Sequence, residues 1–149
     1  MAQDSGVTAI AHVIQLAVAP VFLLTGVAAI LGVLTNRLAR IIDRARVLEE
    51  RLGVLGESER AASEADLRTL SVRSRHINRA ISLSVTCALL VCAVIAALFG
   101  GAFLEVDVSG VIGLVFIAAM LTLIVALVSF LLEIYVATRS LRIGTGYRG

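Results

Sequence analysis

The chain contains no lysine; its thirteen basic residues are all arginines. Nor is there an arginine anywhere from Val7 to Asn36 or from Ala80 to Thr138. Cysteine is scarce, and Cys87 and Cys92 fall five positions apart inside an apolar run, so on a helix they point in different directions. That spacing, without metal-ligand companions, leaves them as small lipid-side or packing residues. Histidine is equally sparse, and His12 has no second ligand nearby, which leaves no metal site there either. There is no Walker loop, no HExxH and no serine elbow, and no cluster of His, Cys and carboxylates. The reading is of a protein that is not an enzyme and needs no cofactor. The opening Met1-Ala2-Gln3-Asp4-Ser5-Gly6 lacks a basic n-region, so the first apolar stretch reads as a retained anchor rather than a cleavable signal.

What is present is apolar. Hydrophobic residues make up 59% of 149 and mean hydropathy is +0.99, well above the share of about 45 to 50% in soluble domains. The chain is expected to be an all-α integral membrane protein. A hydrocarbon core of roughly 30 Å takes about 20 helical residues, and three stretches suffice: 20–38, 80–104 and 111–138. Ten arginines lie between Arg37 and Arg79, and the other three are Arg139, Arg142 and Arg148. Short arginine-rich loops stay on the cytoplasmic side. The N-terminus and the acidic turn Glu105-Val106-Asp107 are therefore expected outside, and the 39–79 segment and the C-terminus inside. Those arginines alternate with Asp43, Glu49, Glu50, Glu57, Glu59, Glu64 and Asp66, so nucleic acid is not an expected partner.

The segment between the first two spans is patterned. Leu38, Ile41, Ala45, Leu48, Leu52 and Leu55 follow spacings of three and four, as do Leu67, Leu70, Ser74, Ile77 and Ile81, the seam of packed helices. Gly53 and Gly56 weaken the first arm, Gly56-Glu57-Ser58-Glu59 reads as a turn, and Ser63 with Asp66 offers an N-cap for the second. The expectation is one domain with an antiparallel cytoplasmic hairpin over 39–79. Upstream, Pro20 either kinks a long first helix or separates it from an outer-surface helix over 7–18, and Thr8, His12, Gln15 and Ala19 form a polar stripe compatible with both.

Three sets of residues stand out. Arg37, Arg40 and Arg44 lie along one helical face just below the first span, where guanidinium groups anchor topology and can contact lipid phosphates or another anion. Glu133 is the one acid inside an apolar run, in line with Ala119, Thr122, Ala126 and Ser129. Intramembrane ionisable groups take a partner, and Arg37 and Arg79, at the ends of the other spans, are the expected ones; a proton or cation site is the functional alternative. Small residues line the second span (Ser82, Thr86, Ala93, Ala97, Gly101) and the first (Thr25, Ala29, Gly32), the means by which helices pack closely in lipid, within or between chains. Gly144-Thr145-Gly146-Tyr147 has no pore helix before it and reads as a tail, not a selectivity filter.

The run Ala19-Pro20-Val21-Phe22-Leu23-Leu24-Thr25-Gly26, continued from Leu34 through Asn36-Arg37, Arg40 and Asp43-Arg44-Ala45-Arg46, resembles a bacterial family of small membrane proteins, domain of unknown function 2721. The resemblance runs from about Val13 to about Arg142. It implies a multi-pass protein of the bacterial inner membrane with this layout, and it transfers no catalytic residue. Two functional readings follow. One is a homo-oligomeric scaffold or regulatory subunit whose charged hairpin meets a cytoplasmic partner. The other is a small oligomeric channel or transporter, with Glu105 and Asp107 at an outer mouth and Arg37 and Arg40 at an inner one. An enzyme acting on lipid is the least supported class.

Overall fold

In a computed structural model, residues 2–52, 56–104 and 106–141 are described, and all regular structure among them is helical. Helix α1 spans Ala2–Leu52, α2 spans Glu57–Leu104 and α3 spans Ser109–Leu141. Each contains a stretch long and apolar enough to cross a membrane, with mean hydropathy of 2.4, 2.6 and 3.0 in turn. In each of those stretches only 17% of residues are buried within the protein. Their outward faces are therefore apolar too: Phe22, Leu89, Leu114 and Ile117 are all more than 60% exposed. A continuous surface of that kind is suited to hydrocarbon, not water.

Burial on α1 follows a strict alternation of three and four from Val13 through Ala17, Pro20, Leu24, Val27, Leu31, Leu34, Leu38, Ile41, Ala45 and Leu48 to Leu52. A seven-residue repeat of this kind keeps one side of the helix for packing. Pro20 lies inside this helix and on its buried seam. Of the two alternatives at Pro20, the separate surface helix is not formed: α1 runs through Pro20 as one helix, the ring costing one intrahelical bond, to the Leu16 carbonyl.

The helices divide into two compact units. One comprises Met1–Leu31 with Leu83–Ile124. Its core is Val27 from α1, Cys87 and Val91 from α2, and Ala119 and Leu123 from α3, flanked by Leu23, Leu24 and Ile95. Cys87 is thus a packing residue, and Cys92 is an exposed free thiol. The turn into α3 is closed in this unit by Val106 N–H donating to the Gly101 carbonyl at 3.2 Å. Asp107 then caps α3, accepting from Ser109 N–H at 3.1 Å and from the Ser109 hydroxyl at 2.7 Å. These bonds favour the ionised carboxylate and hold its pKa below the ordinary value of 3.8. Glu105 lies outside the described residues.

The other unit comprises Gly32–Ser82 with Val125–Gly149. Here the end of α1 and the start of α2 form the two arms of an antiparallel hairpin, with Ile41, Ile77 and Ala80 buried. Removing a side chain the size of Ile77 from water is worth about 1.5 to 3 kcal/mol. The second arm starts earlier than the Ser63 cap implies: α2 begins at Glu57, with Arg60 N–H bonded to the Gly56 carbonyl. The Gly56 carbonyl accepts the first bond of this helix, and the acidic Glu59 in its first turn suits the N-terminal end. Gly53, Leu55, Arg142, Arg148 and the Gly144-Thr145-Gly146-Tyr147 tail lie outside the described residues.

Candidate functional site

Glu133 joins all three helices of its unit. It sits on the buried seam of α3, where Ala126, Ser129 and Glu133 are buried at spacings of three and four, and its side chain is fully enclosed. Ser129 is satisfied locally, its hydroxyl donating to the Val125 carbonyl at 2.8 Å. Glu133 instead faces two arginines. Arg73 of α2 donates from both Nε and Nη2 to Oε1, at 3.1 and 3.0 Å. Arg37 of α1 brings Nη1 to 2.9 Å from Oε2. That approach is off the hydrogen-bonding direction, so Oε2 is held by charge proximity and lacks a directed hydrogen bond. Arg37 also lies over the Phe130 ring, 5.4 Å from its centroid, within cation–π range.

The expected partner set is half corrected. Arg37 is on Glu133, but the second cation is Arg73, and Arg79 is exposed. The cause is helical phase. Arg73 falls on the α2 seam, three after Leu70 and four before Ile77, whereas Arg79 is two beyond Ile77 and one before Ala80, which turns it outward. Depth also favours Arg73: Ile41 of α1 shares a cleft with Leu70 of α2, so four residues down one arm match three up the other. Sequence reasoning placed Ser74 on this seam and passed over its neighbour.

The same two arms hold a cleft of about 270 Å³ lined by Arg37, Arg40, Ile41, Arg44, Leu70 and Arg73. The structure thus gathers the predicted row Arg37, Arg40 and Arg44 and adds Arg73 from the opposite helix. Arg40 and Arg44 are exposed, and among the described residues neither has an ion pair with Asp43 or any other acid.

The small-residue ladders are mostly not the buried seam of this chain. Thr25, Ala29, Gly32, Ser82, Thr86 and Ala93 are exposed, and Ala97 is half-buried. A Cβ on Gly32 would meet nothing within 4 Å. Thr25 satisfies its hydroxyl on the Val21 carbonyl of its own helix. Gly101 has a different role: a Cβ there would stand 2.5 Å from Val108 Cγ2 and 3.3 Å from the Val106 carbonyl oxygen. It is glycine because the turn folds back against it. The contacts within the chain are made instead by Ala80, Ser84, Cys87, Ala119 and Ala126, which are buried. Among the described residues no cluster of His, Cys, Asp and Glu can hold a metal ion.

The family model described as a protein of unknown function, DUF2721, matches residues 17–143. That span includes the arginine cleft and Glu133, and the chain belongs to this family. No curated protein matches the chain, and no solved structure does.

Proposed function

We propose that this member of the family is a multi-pass protein of the bacterial inner membrane acting as a non-enzymatic, homo-oligomeric scaffold or regulatory subunit. In this reading the N-terminus and the 105–108 turn face outward, and the 39–79 hairpin and the C-terminus are cytoplasmic. Arginine asymmetry supports the orientation. The hairpin is the contact surface, either for a second copy or, through that assembly, for a cytoplasmic protein.

The observation that carries this reading is the open groove along the hairpin, about 590 Å³, which includes Ile41, Ile42, Ala45 and Leu67 together with Glu49 and Arg68. An apolar floor edged by both signs of charge is self-complementary, the requirement for a two-fold contact between identical chains. Ile42, Val47 and Val72 add exposed apolar surface on the same two arms. Nothing favours the channel reading equally: Glu133, the acid a cation path would use, is neutralised by Arg37 and Arg73.

A photo-crosslinking residue placed at Val72 in cells tests this. The expected adduct has twice the mass of the chain and yields only its own peptides. No adduct, together with a monomeric mass by light scattering in mild detergents, would overturn the homo-oligomer. Ion flux through liposomes carrying the purified protein, absent from empty liposomes, would replace the scaffold with the channel.

A further inference from the structure

Four arginines line one cleft of about 270 Å³, and Glu133 is the only carboxylate the described residues bring against any of them. Arg37, Arg40 and Arg44 come from α1, and Arg73 comes from α2. Four positive charges and one negative leave the cluster with a surplus of three. Such repulsion is unfavourable unless water, or an anion of several oxygens, fills the space.

The arginines are also unequally engaged. Glu133 fixes Arg37 through Nη1 and Arg73 through Nε and Nη2, which leaves Arg37 Nε and Nη2 and Arg73 Nη1 without a described acceptor. Among the described residues no acid pairs with Arg40 or Arg44. Two forks are thus oriented in advance by a buried carboxylate, and two free ones stand on the adjacent turns. We propose that this cleft binds a phosphate group, with Arg40 and Arg44 as its principal ligands and Arg37 and Arg73 as its pre-oriented wall.

Chemistry selects phosphate over a carboxylate. A carboxylate offers only two oxygens in one plane, whereas a phosphate offers several non-ester oxygens arranged tetrahedrally and accepts forks from more sides. The absence of lysine fits a site built on bidentate geometry. The volume is at the lower limit for a drug-sized ligand and so suits a headgroup-sized one. Arg37 is the first charge after the arginine-free stretch Val7–Asn36, which puts the cleft at the depth of lipid phosphates if the chain crosses a membrane as argued. Ile41 and Leu70 give the cleft an apolar side. The inference goes beyond the scaffold reading and does not need it, because the cleft lies within one hairpin.

The source of the phosphate is a lipid headgroup or the free anion, and the test separates them. Delipidated full-length protein in a neutral maltoside is titrated with phosphatidic acid, with diacylglycerol, or with inorganic phosphate, and thermal unfolding is followed by circular dichroism. Phosphatidic acid is expected to raise the melting temperature, and diacylglycerol to leave it unchanged. R40Q/R44Q removes two exposed, unpaired side chains, so it keeps the ligand-free melting temperature, and its half-saturation for phosphate moves at least about tenfold higher. R46Q/R51Q removes the same charge from exposed positions outside the cleft and is expected to bind as wild type. A lipid headgroup is indicated if phosphatidic acid acts at least about tenfold below inorganic phosphate, and free phosphate if the two are equal. The proposal fails if diacylglycerol stabilises as well as phosphatidic acid, or if R46Q/R51Q weakens binding as much as R40Q/R44Q.

Discussion

Arg73 and Glu133 are 60 positions apart in the chain and 3.0 Å apart in space, with both Nε and Nη2 of the arginine on one carboxylate oxygen. Arg37 holds the other oxygen, so a single acid ties three helices. In hydrocarbon, apolar side chains gain little by leaving lipid for protein, and packing and polar contacts carry the association. A buried acid with two cations from different helices therefore fixes their register in a way that an apolar residue such as Leu34 cannot.

Glu133→Ala is expected to lower the melting temperature in mild detergent, with a loss of about 3 kcal/mol because two arginines are left facing each other. Arg73→Ala should cost less, since Arg37 still holds the carboxylate. Combining Glu133→Ala with Arg73→Ala should lose clearly less than the sum of the singles, whereas Glu133→Ala with Arg79→Ala should be additive. Coupling to Arg79 and none to Arg73 would contradict the pairing.

Gly101 and Gly32 should respond in opposite senses to the same change. Gly101→Ala sets a methyl against Val108 Cγ2 and the Val106 carbonyl, and the stiffness of valine makes relief expensive, about 1 to 3 kcal/mol. Gly32→Ala enters open space within α1 and should stabilise by about 0.5 to 1 kcal/mol through helix preference. Thermal unfolding of both variants checks the sign of each.

Much of this was legible in the chain and some was not. Three-and-four spacing marks Leu38 to Leu52 and Leu67 to Ile81 as seams, and the described members of both are buried or half-buried. Apolar length gives the three helices. The errors share a cause: charge position along the chain tells depth but not phase. Arg79 stands nearer the apolar run than Arg73, yet it points away, and only the register of α2 against α1 reveals which arginine meets Glu133. The ladder ending at Gly101 is left mostly exposed within the chain, since small residues at helical spacing mark a close approach without saying whether the partner is the same chain or another. The start of α2 at Glu57 is hidden because Ser63 with Asp66 has the spacing of a cap, whereas the first bond is accepted by the backbone carbonyl of Gly56.

Asp107 should contribute to stability at neutral pH through its bonds to Ser109. Its folded pKa is lowered, so the contribution is full above the unfolded pKa, about 3.9, and is lost as pH falls through the lower folded value. Asp107→Ala should have a lower melting temperature than wild type at pH 7. The two should converge in acid, below about pH 4; a gap that widens in acid would contradict the cap.

Ala93 is exposed on α2 in a row with Thr86 and Ser82. If copies associate through this face, Ala93→Leu should separate backbones and shift the light-scattering mass toward monomer. Insertion and the melting temperature of the protomer should be unchanged. A wild-type oligomer whose mass is indifferent to this substitution would assign the contact to the hairpin alone.

The most direct measurement of the membrane arrangement is the side on which each turn lies. Alkaline phosphatase is active only when exported. Fused after Val106 it should be active, and fused after Gly56 inactive, if the ten arginines from Arg37 to Arg79 keep the hairpin in the cytoplasm as proposed. Activity after Gly56 with none after Val106 would contradict the account, moving the arginine cleft and the Glu133 clasp to the opposite face of the membrane.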